Sequence, residues 1–225
     1  MAEASKAGLF LDPAATERVR ARVASLEAAR GVEVVTAVTA RADSYPEVPW
    51  KAFALGVSLA ALAATIVALL APGWDAFQAV VETAVAVLAA GSVLALATVW
   101  ITPLARLLIP AERREVEARQ YAQALFLEHE LHRTRRRDGI LILVSLLEHQ
   151  VVVLADRGVS GRVGQGALEQ VVAAVTAALS GAGVADALLA GLARLEEVLA
   201  QHGFSAPADD TNELADAVIQ RRDPP

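Results

Sequence analysis

The sequence of 225 residues contains no cysteine. Disulfides, zinc–thiolate sites, iron–sulfur clusters and cysteine nucleophiles are therefore excluded. Aromatic residues make up only 4% of the chain, whereas hydrophobic residues in total reach 55%. Soluble domains are usually less apolar than this. The apolar excess is therefore carried by aliphatic residues, and it directs attention to membrane-spanning segments.

Several functional motifs are also lacking. The sequence has no GxxxxGK[ST], no GxSxG, and no GxGxxG between a predicted strand and helix. The net charge of −6 argues against nucleic acid as the main partner. The first twenty residues lack an apolar core of signal-peptide length, so we expect no cleaved leader.

Two long segments without charged side chains predict a transmembrane hairpin. They cover about 52–71 and about 83–104. Twenty helical residues span about 30 Å, which matches the hydrocarbon thickness of a bilayer. Pro72 and Gly73 between the segments indicate a turn. The residues predict a two-helix insertion at 51–109.

The distribution of charge predicts the orientation of this hairpin. The charged residues of the connecting loop are both acidic, Asp75 and Glu82. Basic residues flank the outer ends of both spans: Arg41 and Lys51 before the first, and Arg106, Arg113 and Arg114 after the second. The positive-inside rule therefore places both termini in the cytoplasm of a multi-pass membrane protein.

Small residues repeat along the first span at Gly56, Ala60 and Ala64. Such a stripe lets two helices approach closely. Two partners are open: the second span, through Ala86 and Ala90 or Gly91, or another protomer in a homo-oligomer.

The remaining residues, 1–50 and 110–225, predict one split α/β domain with a small mixed sheet sandwiched by helices. Asp12 and Pro13 start a helix that ends at Gly31. The apolar run Ile140–Leu147 predicts a buried central strand, and Val151–Ala155 returns beside it as an antiparallel hairpin. Glu148 and His149 form its turn. The other predicted elements are a strand at 32–40, helices at 111–131, around 168–179 and around 188–199, and a short helix after Asp210 and Glu213.

The glycine-bearing segment 158–166, GVSGRVGQG, has two interpretations. A flexible connection is favoured. The other interpretation is an anion site, because the segment leads into a helix whose first amides are unpaired.

Charged side chains gather where the predicted hairpin begins and ends. Asp156 and Arg157 follow its second strand, and Asp138 precedes its first. In an antiparallel pair these positions lie at the same end of the sheet, so we expect the two carboxylates to face one pocket. Asp156 and Asp138 could there hold a divalent metal such as Ca²⁺. The alternative is a local turn in which the aspartates pair with neighbouring arginines.

His129 is a further candidate for this site. It lies on the apolar face of the helix at 111–131, which a short loop joins to the first strand of the hairpin. His129 and His132 are three residues apart, so EHELHR is not an HExxH zinc motif. The basic run at Arg133, Arg135, Arg136 and Arg137 is either a solvated helix end or a contact for anionic lipid headgroups.

The segment FLEHELHRTRRRDGILILVSLLEHQVVVLADRG (126–158) resembles the TPM-domain family. The helix followed by VEVVTAV, the loop Ser44-Tyr45-Pro46 and the tail NELADAVI extend the resemblance over nearly the whole chain. In organisation the chain is similar to the bacterial membrane-anchored branch, in which a transmembrane hairpin interrupts the domain. The resemblance implies an α/β sandwich, the bacterial inner membrane and a LemA-type membrane-protein partner. For some relatives it also implies phosphatase activity or calcium binding at an acidic surface pocket.

These observations support two functional hypotheses. The first is a membrane-anchored accessory or scaffold protein whose cytoplasmic domain binds a protein partner, with or without a divalent metal. The second is a metal-dependent phosphatase acting on phosphomonoesters, with Asp138 and Asp156 as metal ligands and Arg157 or His129 handling charge and protons. The scaffold is favoured because no nucleophile–base pair is evident, and because LADRG (154–158) stands where exported relatives carry a glycine-rich stretch.

Overall fold

The computed structural model describes residues 10–70, 76–206 and 218–222. The chain forms two compact units, one made of Met1–Asp43 and Glu115–Pro225, the other of Ser44–Arg114. The helices are α1 (Pro13–Arg30), α2 (Glu47–Leu70), α3 (Ala76–Trp100), α4 (Thr102–Leu107), α5 (Ala111–Glu128), α6 (Arg157–Val163), α7 (Gln165–Leu179) and α8 (Val184–Gln201). The strands are β1 (Glu33–Thr39), β2 (Gly139–Ser145), β3 (Gln150–Ala155) and β4 (Val218–Arg221).

The first unit is built on a four-stranded mixed sheet in the order β3-β2-β1-β4. Strand β1 pairs in parallel with both β2 and β4, whereas β2 and β3 form the predicted antiparallel hairpin. Every residue of β1 and β2 is buried, while the two edge strands are half-buried. This confirms the prediction that the apolar run beginning at Ile140 forms a central strand covered on both faces.

Helices cover both faces of this sheet. Helices α1, α6, α7 and α8 pack on one face, where Leu188, Leu192 and Leu195 meet Ile140 and Ile142. Helix α5 packs on the other, where Ala118, Tyr121, Ala122 and Leu125 meet Leu141 and Leu143. Alternate residues of one strand thus serve opposite cores, as the strand period requires. The predicted α/β sandwich is confirmed.

Local signals account for the first helix. The Asp12 carboxylate accepts a hydrogen bond from the Ala15 amide at 2.6 Å, and Pro13 occupies the first turn, where a missing N–H costs nothing. Gly31 ends the helix at φ +61°, a conformation that favours glycine. The prediction of a helix over 13–30 is confirmed.

The prediction for residues 158–166 was wrong, and the predicted C-terminal helix is tested only at residues 218–220. Residues 158–166 do not form a flexible connection, because α6 runs through most of them and buries Val159 and Val163. The short helix expected near the C-terminus does not include 218–220. These residues form β4, which pairs with β1 along an edge that would otherwise carry unpaired backbone groups. Asp210 and Glu213 lie outside the described residues.

The second unit contains the two long apolar helices α2 and α3. Both are long and apolar enough to cross a membrane, over Glu47–Leu70 and Val80–Trp100. Few of their residues are buried within the protein. Their exposed side chains include Leu59, Leu69, Leu70, Val85 and Leu96. The second helix ends at Trp100 rather than at Leu104, and Thr102–Leu107 forms the separate helix α4, with Pro103 in its first turn.

Gly56 allows α2 and α3 to touch backbone to backbone. A Cβ atom at Gly56 would lie 2.9 Å from the Ala90 carbonyl oxygen and 2.9 Å from the Gly91 Cα. At Gly91 it would crowd the side chains of Val57 and Phe53. The small-residue stripe therefore packs against the second apolar helix of the same chain, which is one of the two partners that the sequence left open.

We expect Gly56→Val to weaken the packing of α2 on α3, because its side chain has no room beside the Ala90 backbone. Ala61→Val is the matched control, since Ala61 lies on the same helix and is exposed. The measurement is the unfolding midpoint of the full chain during titration with a denaturing detergent. Equal midpoints for the two variants would contradict the close contact at Gly56.

Candidate functional site

The two predicted aspartates lie at one end of the sheet. In the β2–β3 ladder Ile140 is opposite Ala155, and the Asp156 amide donates to the Gly139 carbonyl at 2.9 Å. Asp138 and Asp156 therefore flank the same end of the hairpin, as the sequence analysis expected. Glu148 and His149 form the turn at the opposite end.

Asp156 connects the sheet to α6 and is only 6% exposed. Its Oδ1 accepts hydrogen bonds from the Arg157 amide at 2.7 Å and from Arg137 Nη2 at 3.1 Å. Arg137 Nε lies 2.7 Å from Oδ2, but Oδ2 accepts no aligned hydrogen bond from the described residues. Asp156 is thus the N-cap of α6 and the ion-pair partner of Arg137, with one oxygen incompletely satisfied.

Asp138 is also 6% exposed, and a different arginine holds it. Arg136 Nε lies 3.1 Å from Asp138 Oδ2. The backbone amide of Asp138 donates a hydrogen bond to Thr134 Oγ1 at 3.0 Å. Both aspartates therefore pair with arginines of the basic run that precedes β2. Arg136 and Arg137 are therefore not simply a solvated helix end, whereas contact of the basic run with anionic lipid headgroups stays a prediction.

The two aspartates line different cavities rather than one pocket. Asp156 lines an apolar groove of about 340 Å³ with Gln123, Phe126, Leu127, Leu154 and Ala155. Asp138 lines a polar cavity of about 100 Å³ with residues of α1 and α6 and of the segment after α8. The expectation of one shared pocket is corrected here. The reason is that the side chains lie beside the two opposite helical layers of the sandwich.

The geometry offers little to a metal ion at this end of the sheet. No group of three or more His, Asp or Glu side chains in the part of the chain that the structure describes is arranged to hold one. A cation at Asp138 or Asp156 would have to compete with the paired arginine. Binding of Ca²⁺ or another divalent metal by these two residues stays a prediction.

The other predicted site residues are His129 and Arg157. His129 follows the end of α5, and its Nε2 is buried without a hydrogen bond from the described residues. It is not among the residues that line either cavity. The Arg157 side chain is exposed on α6. The roles proposed for both residues stay predictions.

Glu148 is more than a residue of a plain turn. It is fully buried, and it accepts hydrogen bonds from the Ala42 amide at 2.9 Å and from the Ser145 hydroxyl. These contacts tie the segment after β1 to the β2–β3 turn. An acidic residue in a predicted turn gave no indication of this burial.

Two surface carboxylates have perturbed acidity for structural reasons. The hydrogen bond from Arg221 lowers the pKa of Glu128 and links α5 to β4. The hydrogen bond from Arg22, with help from Arg30, lowers the pKa of Glu196 and links α1 to α8. Both groups stabilise the folded state when ionised, and this contribution is lost as the pH falls through their lowered pKa values.

Comparison with known proteins supports the family-level expectation. The model of the TPM domain matches residues 97–198, slightly less than half of the chain. No curated protein matches the sequence. Among solved structures, the chain is similar to the NMR structure of BA42 protein from the psychrophilic bacterium Bizionia argentinensis, with a TM-score of 0.56 and 12% identity. That match covers 94% of this chain and 95% of the other, and at this identity it shows the fold alone.

We expect Asp156→Ala to lower the free energy of unfolding by about 1–2 kcal/mol, because α6 loses its N-cap. Asp156→Asn keeps a capping oxygen and loses only the charge facing the half-exposed Arg137, so it should cost less than about 1 kcal/mol. Urea unfolding of both variants at neutral pH provides the measurement. Equal losses would show that the cap is not the main contribution of Asp156.

Proposed function

Because the TPM domain model matches residues 97–198, we propose that this chain is a membrane-anchored accessory protein of that family. The α2–α3 hairpin would cross the bacterial inner membrane, and the sheet-bearing domain would bind a protein partner in the cytoplasm. The observation that carries the proposal is the exposure of large apolar side chains along α2 and along Val80–Trp100 of α3. In water such a surface would be very unfavourable, whereas hydrocarbon covers it without cost.

The flanking residues support the proposed orientation. Trp50 and Trp100 are 73% and 77% exposed near the two helix ends that lead out of the hairpin. Exposed tryptophans of this kind suit the boundary between hydrocarbon and headgroups. Lys51 and Arg106 belong to the same flanks, whereas the loop between the helices carries no basic residue. This pattern supports a cytoplasmic location for both termini.

The groove between α5 and β3 is the surface best suited to a protein partner. Phe126, Leu127 and Leu154 make it apolar, and Leu127 is 61% exposed. Strand β3 is an end strand of the sheet among the described residues. Asp156 at the polar end of the groove has an oxygen that still lacks an aligned donor. We infer an extended partner segment that pairs with β3, places an apolar side chain in the groove and donates a hydrogen bond to Asp156.

The metal-dependent phosphatase is the weaker alternative. It needs Asp138 and Asp156 to converge on one metal and one phosphomonoester. The two carboxylates instead line separate cavities, and each is paired with an arginine. No observation at this end of the sheet therefore favours turnover over binding.

The absence of native cysteine allows a direct test of orientation. We expect Asp75→Cys, between the two apolar helices, to react with a membrane-impermeant maleimide in intact cells. Ser180→Cys, between α7 and α8, should react only after permeabilisation, because the domain would be cytoplasmic. Labelling of Ser180→Cys in intact cells, or protection of both positions until permeabilisation, would contradict the proposed topology.

Partner binding at the groove is tested by affinity purification of the full chain in mild detergent. We expect Leu127→Glu to abolish recovery of a specific membrane-protein partner, because it places a charge at the apolar groove. Val116→Glu is the matched control, since Val116 is exposed on the same helix but is not among the groove-lining residues. Equal recovery by the wild type and both variants would exclude the groove as the docking surface.

A further inference from the structure

The small polar cavity beside Asp138 is lined by three guanidinium groups that come together from distant parts of the chain. Arg30 is the last residue of α1, Arg136 lies in the loop before β2, and Arg162 lies on α6. The remaining lining residues are Gly31, Asp138, Gly158, Gly203, Phe204 and Ser205. Three positive charges thus face one carboxylate, so the lining carries net positive charge.

Each arginine is held in place before any ligand arrives. Arg136 Nη2 donates to the Gly31 carbonyl at 2.6 Å, and its Nε pairs with Asp138. Arg162 lies over the Phe204 ring at 3.8 Å, and its Nη2 donates to the carbonyls of His202 and Gly203. Rigid arginines lose little conformational entropy on binding, which favours recognition of a planar or tetrahedral oxyanion.

The ion pair of Arg30 and the hydrogen bonds of Arg162 use only part of the hydrogen-bonding capacity of these two side chains. The guanidinium group carries five N–H donors. Arg30 Nη2 lies 3.4 Å from Glu196 Oε1, but Arg30 Nε is buried without a hydrogen bond from the described residues. The hydrogen bonds that Arg162 makes with described residues both leave from Nη2. A buried N–H without a partner is unfavourable, so an acceptor at this position would stabilise the site.

The volume of the cavity and the close backbone contact at Gly158 limit the size of the ligand. A volume of about 100 Å³ is well below that of sites for drug-sized molecules, which start at about 300 Å³. A Cβ atom at Gly158 would overlap the carbonyl oxygens of Arg136 and Arg137, so glycine at this position lets the backbone of α6 close the cavity. The space suits one small anion, or a phosphate group whose substituent projects to solvent.

We propose that the cavity formed by Arg30, Arg136 and Arg162 binds a phosphate group, either as inorganic phosphate or at the end of a larger molecule such as a lipid headgroup. Arg30 and Arg162 donate hydrogen bonds to the phosphate oxygens, and Arg136 contributes charge while Asp138 orients it. This site requires neither turnover nor a metal ion. It is also independent of the groove between α5 and β3, which lies beside the other helical layer.

Calorimetric titration of the full chain in mild detergent, at constant ionic strength set with chloride, tests the site. One arm uses inorganic phosphate, and the other uses nanodiscs containing phosphatidic acid, compared with nanodiscs of neutral lipid. Saturable binding in the first arm supports a site for free phosphate. Saturable binding of phosphatidic acid alone supports a headgroup site. No saturable binding in either arm overturns the proposal.

Two variants of α1 provide a matched comparison. Arg22 and Arg30 both pair with Glu196, but only Arg30 lines the cavity. Arg30→Gln should weaken phosphate binding roughly tenfold or more, as expected for loss of a charge-assisted hydrogen bond. Arg22→Gln should leave the affinity within about twofold of the wild type. Arg22 does not line the cavity, so its charge acts on the bound phosphate only from a distance through screening solvent. Equal weakening by both variants would show that the binding is not at this cavity. Circular dichroism confirms that each variant is folded.

Discussion

The parallel pairing of β1 with β2 sets the position of the other elements of the first unit. It joins Glu33 to Gly139 and continues in register to Thr39 and Ser145. Both strands are buried throughout, so their backbone groups have no water to replace a lost partner. Parallel neighbours need a crossover connection. In this chain the crossover contains α2 to α5, and so the apolar hairpin is inserted between two strands that are adjacent in the sheet.

This pairing also decides where charge gathers. It fixes the start of β2 at Gly139, and the β2–β3 register then places Asp156 beside it. Arg136 and Arg137 precede this point and neutralise one aspartate each. The carboxylates therefore hold the loop before β2 and the first turn of α6 in place. Each of the two proposed binding surfaces, the groove and the arginine-lined cavity, contains one of these aspartates.

Much of the fold could be predicted because its signals are local. Asp12, Pro13 and Gly31 mark the ends of α1, and the apolar pattern of α8 identifies its buried face. Strand β4 could not be predicted in this way, because its four residues become a strand only when they pair with β1. Helix α6 was missed for a related reason, since its glycines suggested flexibility, whereas the Asp156 cap and the burial of Val159 stabilise a helix.

The amino-acid sequence was enough to predict the two apolar helices, most elements of the sandwich and the position of Asp138 and Asp156 at one sheet end. These follow from length, periodicity and strand order, which are properties of short segments. The packing of the folded chain places the two aspartates beside different helical layers and brings Arg30, Arg136 and Arg162 to one cavity. These arginines are far apart along the chain, and they meet because α1, α6 and the loop before β2 lie together on one side of the sheet. No short sequence pattern predicts this cavity, because its lining residues come from α1, the loop before β2, α6 and the segment after α8.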